Sequence, residues 1–324
     1  MSGTQMRVLV VTNMYPSQAR PELGVFVRDQ VDALCRRDDL EVELFAFPPG
    51  KTSYPRAVFA LRRLLKKRSF DVVHAHYGLT GWVAHLAGCK PLVVTYHGTD
   101  LRHPRVGPWS RRLANRIAMP AVVSSDLSRS LRLARLSAQP AVLPCGIDTD
   151  LFQPMPRSEA RKQLGLKPDA RYVLFPADPA RPEKRHDRVK VMLQEFPNVV
   201  ELTLGGVPPE RVPLYVNAAD LVLVPSDYEG FGRAVLEALA CDVPVIATPT
   251  GIATEVLPQI AGCQCVEFTL GSWREQLTTT LADPDPRVEG RRVALAYSTD
   301  RCAEKVAEVY HQLVDATQAK EADE

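Results

Sequence analysis

The sequence lacks any apolar segment long enough to cross a membrane. Uninterrupted runs such as Val8–Val11 and Leu221–Val224 are far shorter than the ~20 residues that a transmembrane helix needs. The first six residues also lack the apolar core of a secretion signal, so we expect a cytoplasmic protein. With 45% apolar and 24% charged residues, the composition is that of a folded globular chain and excludes global disorder.

Signatures of several other protein classes are also absent. No G-x-G-x-x-G follows the first predicted strand and no G-x-x-x-x-G-K-[ST] occurs, which argues against dinucleotide-dependent dehydrogenases and P-loop enzymes. The patterns G-x-S-x-G and H-E-x-x-H are missing as well. The seven cysteines include no C-x-x-C pair, so reduced thiols in a cytoplasmic protein are a better interpretation than a zinc site.

Charge divides the chain into two halves. Residues 1–150 hold 21 Lys and Arg against 12 Asp and Glu, whereas residues 151–324 hold 19 against 26. The net charge of +2 therefore hides a basic half and an acidic half, which indicates two domains with different partners.

Short β-branched runs alternate with helix-length segments in both halves, which predicts parallel sheets covered by helices on both faces. The first series opens at residues 7–12 and the second at residues 172–175, after a proline-containing connector. We therefore predict an α/β protein with two Rossmann-like, doubly wound parallel-sheet domains, residues 1–150 and 151–298. A C-terminal helix in residues 299–324 can pack back across the domain junction. Such proteins usually bind ligands in the interdomain cleft, at the carboxyl ends of the strands.

One loop carries most of the chemical information. A predicted strand, residues 221–224, is followed by a glycine-containing loop and a helix that starts near Arg233. Backbone N–H groups at such a helix start form an anion site. Glu229 lies in the loop and Glu237 in the helix, with seven residues between them. These carboxylates can accept hydrogen bonds from sugar hydroxyls; the alternative is a pair of surface glutamates.

The E-x7-E spacing resembles that of the retaining nucleotide-sugar glycosyltransferases of the group 1 type, which have the GT-B fold. Further segments resemble motifs of this family and follow one another in the same order as in the family. The resemblance therefore covers essentially the whole sequence. These segments are Asn-Met-Tyr-Pro with Gly-Val-Phe-Val-Arg in residues 13–28, Val-Thr-Tyr-His-Gly-Thr-Asp in residues 94–100, the connector in residues 144–152, and Pro-Glu-Lys in residues 182–184. The resemblance implies transfer of a sugar from a nucleoside-diphosphate donor to a hydroxyl acceptor, with retention of anomeric configuration.

The resemblance also implies roles for individual residues, three of which we predict to be catalytic. Lys184 would neutralise the diphosphate, Glu229 would hold the hydroxyls of the donor sugar, and His97 would lie near the transferred sugar. For His97 the alternative is a structural histidine at a strand end.

Further residues are predicted to bind the donor. Glu237 would bind the ribose, and Gly24 would let the first loop approach the diphosphate because it has no side chain. Backbone groups of Gly230, Phe231 and Gly232 would contact sugar and phosphate.

Two departures from the family pattern affect the donor site. Pro179 stands where the family usually has an arginine, and we predict that Arg181 or Arg185 supplies the missing cation. The segment between Pro197 and Asp220 is also short, which changes the contacts to the base, so the sequence predicts no particular nucleobase.

The sequence predicts no metal ion and no cofactor other than the donor substrate. Asp148-Thr149-Asp150 has the Asp-x-Asp pattern of a metal site on a diphosphate. Its position in the connector favours a turn instead. The cations that stabilise the leaving diphosphate would then be Lys184, an arginine and the helix start.

Residues 56–68 form a basic amphipathic stretch, and residues 102–135 add eight arginines and the single acid Asp126. One interpretation is peripheral docking on an anionic membrane, on its cytoplasmic face, where a lipid-linked acceptor is presented. The alternative is a solvated helix that packs its apolar side on the sheet. Aromatic residues are not interleaved as in nucleic-acid binders, so no nucleic-acid partner is predicted.

The predicted partners are a nucleotide sugar and an acceptor that is a glycan, a lipid-linked molecule or a small molecule. Two other functions stay open. One is an enzyme of the same fold that acts on sugar phosphates or epimerises a nucleotide sugar. The other is a nucleotide-sugar-binding protein without catalysis.

Overall fold

The computed structural model of the chain describes residues 5–132, 136 and 139–322, which fold into two compact units. The first unit comprises Met1–Gly146 with Thr299–Glu324, and the second comprises Ile147–Ser298. The boundary falls before the predicted residue 150 because Ile147 is fully buried and its N–H donates to the carbonyl oxygen of Tyr297 at 3.0 Å. Arg135, in the predicted basic region, and residues 323–324 of the predicted terminal helix lie outside the described residues.

The first unit contains a six-stranded parallel sheet in the order β2-β1-β3-β4-β5-β6. Its strands are β1 (Met6–Thr12), β2 (Leu40–Ala46), β3 (Val72–His76), β4 (Leu92–Tyr96), β5 (Met119–Val122) and β6 (Ala141–Val142). Val8, Leu9, Val10 and Val11 of β1 are fully buried, as expected for a strand with helices on both faces of the sheet.

Helices cover both faces of this sheet. They are α1 (Val25–Cys35), α2 (Ser53–Leu65), α3 (Gly78–Ala87), α4 (Thr99–Arg102), α5 (Gly107–Ala114), α6 (Ser125–Arg132) and the C-terminal helix α14 (Thr299–Ala322). Right-handed crossovers between parallel strands place α2, α3 and α5 on one face, where α3 packs between the other two. The connection from β1 to β2 runs the opposite way, so α1 lies on the other face, where it packs against α14.

The terminal helix α14 completes the core of the first unit. Helical spacing predicts that five apolar residues of this helix share one face, namely Ala303, Val306, Ala307, Tyr310 and Leu313. The structure confirms this face, because all five are buried in one cluster with residues of β1 and α1. The C-terminal segment therefore belongs to the first unit, although the chain reaches it only after the second unit.

The second unit contains a five-stranded parallel sheet in the order β11-β10-β9-β7-β8. The strands are β7 (Arg171–Phe175), β8 (Val199–Thr203), β9 (Leu221–Val224), β10 (Val245–Ala247) and β11 (Gln264–Cys265). The α-helices are α7 (Arg157–Leu164), α8 (His186–Leu193), α9 (Val212–Ala218), α10 (Arg233–Ala240), α11 (Ala253–Val256), α12 (Leu270–Ala282) and α13 (Arg291–Ala294). Short 3₁₀ turns at Pro182–Lys184, Pro209–Arg211, Leu257–Gln259 and Leu295–Tyr297 complete it.

A buried carboxylate fixes the amino end of this second sheet. Asp220 is fully buried, and its Oδ2 accepts hydrogen bonds from the Tyr172 N–H at 2.7 Å and from Arg161 Nη2 at 2.8 Å. Arg157 pairs with the other carboxylate oxygen. A buried charge needs such partners, so this cluster holds α7, β7 and β9 together.

Candidate functional site

The second sheet has a topological switch point between β7 and β9. The chain leaves β7 towards β8 on one side, and then continues from β9 to β10 and β11 on the other side. Ligands of doubly wound sheets bind outside the carboxyl ends of the strands at such a point. The loops that follow β7 and β9 contain Lys184 and Glu229, so the structure brings these two predicted site residues to this position.

Lys184 and Glu229 form a close ion pair. Lys184 Nζ donates to Glu229 Oε1 at 2.6 Å and to Oε2 at 2.7 Å. Ser226 Oγ also donates to Oε1, at 2.7 Å. Glu229 is buried, whereas Lys184 keeps part of its side chain exposed. A lysine ammonium has three donors, so Lys184 can hold Glu229 and a second anionic group at the same time.

Asp227 ties the same two loops together. Its N–H donates to the Glu183 carbonyl oxygen at 3.0 Å, and its carboxylate accepts from Arg185 Nη1 at 2.9 Å. Arg188 Nη2 lies 2.8 Å from the same carboxylate oxygen, and Arg188 Nη1 donates to the Pro225 carbonyl oxygen at 2.7 Å. These bonds fix the loop of Lys184 against the loop of Glu229.

The two arginines predicted to replace the missing cation at Pro179 are both in ion pairs. Arg181 pairs with Glu183 at 2.6 Å and is half exposed. Arg185 pairs with both Asp187 and Asp227, and these carboxylates raise its pKa. Because their charges are matched by acids of the same loops, a role of either arginine towards a donor stays a prediction.

Helix α10 begins at Arg233 without a side-chain cap. Its N-cap is Gly232, which has a left-handed backbone with φ 90° and makes no side-chain hydrogen bond to the first turn. The Val235 N–H donates to the Gly232 carbonyl oxygen at 3.1 Å, and the dipoles at a helix start together favour an anion. Glu237, one turn further on, is partly buried and lies 3.4 Å from Arg233 Nε.

Gly251 shapes the turn that contains Gly230, Phe231 and Gly232. The Ile252 N–H donates to the Phe231 carbonyl oxygen at 2.7 Å. A Cβ added to Gly251 would lie 2.4 Å from that oxygen, so the loop after β10 can approach this turn only with glycine. The Phe231 ring is buried, and its centroid lies 6.4 Å from the centroid of the Tyr297 ring.

The first unit has its own switch point, between β1 and β3. Gly24 is the N-cap of α1, in the loop that follows β1, and has φ 69°. A Cβ at this position would lie 2.2 Å from the Met14 carbonyl oxygen, so any side chain is excluded sterically. Sequence analysis gave Gly24 a role in approaching a ligand; the structure adds that the loop itself requires glycine.

Asp100 organises the turn after β4, where His97 lies. Its buried carboxylate accepts hydrogen bonds from the N–H groups of His97, Gly98 and Gly78, at 2.9–3.0 Å. Burial raises the pKa of Asp100 to about 6, although these bonds favour the ionised form. The bond to Gly78 also ties this turn to the start of α3.

Three histidines, His74, His76 and His97, lie in a row at the ends of β3 and β4. His76 Nδ1 lies 3.1 Å from His97 Nε2, and the rings of His74 and His76 stack at 4.5 Å. His74 also makes hydrogen bonds to Tyr310 Oη at 2.6 Å and to Thr95 Oγ1 at 2.7 Å.

Burial keeps these histidines neutral. It lowers the pKa of His76 to about 3 and holds those of His74 and His97 well below 6.5. His97 is partly exposed. His76 Nε2 is buried without a hydrogen-bond partner among the described residues. An unpaired buried N–H is costlier than an unpaired acceptor, so we assign the His76 proton to Nδ1, which donates to His97 Nε2.

A strained residue lies beside His97. Tyr77, between β3 and α3, has φ 73° and ψ 146°, a conformation that costs a non-glycine residue about 1–3 kcal/mol and is most common at functional sites. Its ring lies 4.5 Å from the His97 ring, and Phe26 packs on the same imidazole at 4.9 Å. His97 is thus held between two aromatic rings.

Asp148 forms the turn that its position in the connector predicted. Its Oδ1 accepts from the N–H groups of Asp150 at 3.0 Å and of Leu151 at 2.9 Å. Within residues 5–132, 136 and 139–322, no three His, Cys, Asp or Glu side chains are grouped as a metal site requires.

Comparison with known proteins assigns the family. The family model described as Glycosyltransferase Family 4 matches residues 4–151, and the model of Glycosyl transferases group 1 matches residues 188–287. A D-inositol 3-phosphate glycosyltransferase of Kineococcus radiotolerans is 30% identical to this chain, in an alignment that covers 86% of this chain and 78% of that protein. The chain belongs to the group 1 glycosyltransferases.

Further relatives agree with this assignment. The D-inositol 3-phosphate glycosyltransferase of Actinosynnema mirum is 29% identical over 76% of this chain and 73% of that protein. Among solved structures, a sucrose-phosphate synthase from Thermosynechococcus elongatus has a TM-score of 0.76 and 22% identity, covering 97% of this chain and all of that one. Anabaena HepE, solved in complex with UDP-glucose, has a TM-score of 0.71 and 18% identity, covering 95% and 100%. The GT-B fold predicted for this glycosyltransferase is therefore confirmed.

Sequence analysis of this glycosyltransferase missed several residues that shape the site. Ser226 and Asp227 hold Glu229 and the Lys184 loop, and His76 contacts His97. The order of the parallel strands could have identified His76. Because β3 and β4 are neighbours in the sheet, the residues at their carboxyl ends come together. Ser226 carries no such signal, because only the folded loop brings its hydroxyl to Glu229.

Proposed function

We propose that this glycosyltransferase moves a sugar from a nucleoside-diphosphate donor to a hydroxyl-bearing acceptor, with retention of anomeric configuration and without a metal ion. The observation that carries the proposal is the Lys184–Glu229 pair at the switch point of the second sheet, next to the uncapped start of α10. A cation and a helix start together suit a diphosphate.

Donor binding is supported by the number of hydrogen-bonding positions that the pair has left. A carboxylate offers about four acceptor positions. Glu229 accepts two bonds at Oε1, from Lys184 and Ser226, and one at Oε2. Among the described residues this leaves a position on Oε2, which would accept from a sugar hydroxyl while Lys184 donates to the diphosphate.

Leaving-group stabilisation is the main catalytic task in this proposal. Cleavage of the bond between the anomeric carbon and the diphosphate places negative charge on the departing oxygen, which Lys184 would stabilise. A preorganised charged donor contributes about 3 kcal/mol in a site with little water, and a helix start about 0.3–2 kcal/mol. Lys184 should therefore contribute more than α10.

Retention without a covalent glycosyl intermediate fits the state of Glu229. Both of its oxygens bond to an ammonium group, which makes the carboxylate a poor nucleophile. We infer that the acceptor oxygen attacks the anomeric carbon from the face that the diphosphate leaves. The new carbon–oxygen bond forms as the carbon–phosphate-oxygen bond breaks, and the acceptor proton passes to the departing diphosphate.

A donor and acceptor screen tests the proposal. The purified protein is incubated with a panel of nucleotide sugars and acceptors in EDTA, including D-inositol 3-phosphate because the curated relatives are named for it. Released nucleoside diphosphate is measured, and product configuration is read by NMR. We expect transfer with retention, about 100–1,000-fold lower kcat in Lys184→Ala, and unchanged kcat in Lys190→Ala, an exposed lysine of α8.

Each alternative gives a different result in this screen. Interconversion of nucleotide sugars without release of nucleoside diphosphate would indicate an epimerase. Donor binding without transfer or donor hydrolysis would indicate a binding protein. An inverted product, or activity that EDTA abolishes and a divalent cation restores, would contradict the mechanism.

A further inference from the structure

The helical face of the first unit formed by α2, α3 and α5 combines exposed apolar residues with a strong excess of positive charge. The three most exposed large apolar side chains among the described residues lie on these helices: Phe59 on α2 at 65%, Trp109 on α5 at 56% and Leu86 on α3 at 54%. We refer to this surface as the basic aromatic face.

Contacts between the helices show that these side chains share one surface. Arg62 Nη2 on α2 donates to the Leu86 carbonyl oxygen of α3 at 2.7 Å. Trp82 Nε1 on α3 donates to the Trp109 carbonyl oxygen of α5 at 3.0 Å, and the two indole rings lie 6.1 Å apart. The middle helix α3 therefore connects the apolar side chains of α2 and α5.

The charge of this region is almost entirely positive. Residues 44–125 contain thirteen Lys and Arg but only two acids, Asp71 and Asp100. Asp100 is buried and bound by three backbone N–H groups. Asp71 accepts from the Arg7 N–H at the amino end of β3. Neither carboxylate belongs to α2, α3 or α5, so these helices present no acid.

Apolar and basic side chains alternate along the exposed surface of these helices. On α2, the exposed Arg56, Phe59 and Arg63 follow one another at spacings of three and four residues, which place them on the same side of a helix. On α5, Trp109 and Arg112 are three residues apart and both exposed. Exposed Phe and Trp side chains that share one surface are typical of an interaction site rather than of a solvated helix.

We propose that the basic aromatic face docks the protein on an anionic lipid bilayer. Tryptophan prefers the level of the lipid headgroups, and amphipathic helices with basic polar sides lie in that plane with their apolar residues inserted. None of the described helices has the length and apolarity to cross a bilayer. The binding is therefore peripheral, and it is independent of the reaction proposed above.

Vesicle binding by the full chain tests this inference. Co-sedimentation is measured with vesicles of phosphatidylcholine alone and with vesicles that contain equal amounts of phosphatidylcholine and phosphatidylglycerol, at low and high salt. We expect binding to the anionic vesicles that decreases with salt. The Trp109 indole should leave water on binding, so tryptophan emission shifts to shorter wavelength, and Trp109→Phe reduces the shift.

Matched variants separate this face from general electrostatics. Each Lys or Arg near an anionic surface contributes about a fivefold factor to binding, so Arg63→Gln with Arg112→Gln should weaken it about 30-fold. Phe59→Ala with Trp109→Ala should weaken it as well. The control pairs are Arg211→Gln with Arg292→Gln, both exposed on the second unit, and Val191→Ala with Leu295→Ala, which are 46% and 45% exposed.

Several outcomes would overturn the inference. They are no binding to anionic vesicles, equal binding to neutral vesicles, and equal losses in the control pairs. Analytical ultracentrifugation adds a fourth: a dimer of this chain that dissociates in the Phe59→Ala, Trp109→Ala variant would make the face a protein interface. Thermal unfolding checks that all variants are folded, which is expected because the changed side chains are exposed.

Discussion

Acidification should destabilise the first unit because its buried histidines are neutral in the fold. The ordinary histidine pKa is 6.5; burial lowers that of His76 to about 3 and that of His74 well below 6.5. Below pH 6.5 the unfolded chain therefore binds more protons than the folded one, and the free energy of unfolding falls as the pH falls.

The expected loss is large compared with the stability of a domain. Between about pH 7 and pH 5, each of the two fully buried histidines lowers the free energy of unfolding by about 2 kcal/mol. Asp100 acts in the opposite direction: its pKa is raised to about 6, so its protonation stabilises the fold by about 1 kcal/mol over this range. The net loss is about 3 kcal/mol, and His97 increases it.

Urea unfolding at a series of pH values measures this loss. A Trp273→Phe background leaves Trp82 and Trp109 as reporters of the first unit. His76→Gln should remove about half of the loss of unfolding free energy that His74 and His76 cause together. His103→Gln changes an exposed ring and should leave this loss unchanged. A free energy of unfolding that is the same at about pH 7 and pH 5, within about 1 kcal/mol, would refute the reasoning.

Two further predictions concern single residues, both measured as free energies of unfolding in urea. Asp220→Ala leaves the buried Arg161 without its ion-pair partner and should destabilise the second unit by about 3–5 kcal/mol; a loss below about 1 kcal/mol would show that Arg161 does not depend on this pair. Gly24→Ala should cost more than Gly165→Ala, because both have φ near 68° but only the Gly24 Cβ meets a backbone oxygen. Gly165→Ala should cost about 1 kcal/mol, and equal costs would contradict the steric argument at Gly24.

Most of the fold could be predicted because the strands are short, apolar and separated by helix-length segments. β9 begins and ends where the sequence predicts, and β1 and β7 each begin one residue before the predicted start. The apolar run at residues 121–123 predicts a strand that starts after Pro120, because proline lacks a backbone donor. The strand β5 instead begins at Met119 and includes this proline. β11 has only two residues, too few for any hydrophobic period, and was not predicted.

The candidate site was predictable as a set of residues but not as an arrangement. Motif spacing identifies Lys184 and Glu229 separately, and they are 45 residues apart in sequence. Their ion pair depends on the adjacency of β7 and β9, which follows from the strand order rather than from local sequence. The Ser226 bond to Glu229 and the Tyr77 strain depend on loop geometry, which local propensities do not determine.

The most direct test of the account is the affinity of the protein for nucleoside diphosphates, measured by titration calorimetry in EDTA. The account predicts that at least one nucleoside diphosphate binds, that Lys184→Ala weakens its binding about 10–100-fold through loss of a charged hydrogen bond, and that Lys190→Ala binds like the unmodified protein. Equal affinity of the Lys184→Ala variant and the unmodified protein would contradict the central claim that Lys184 holds the diphosphate at the end of β7.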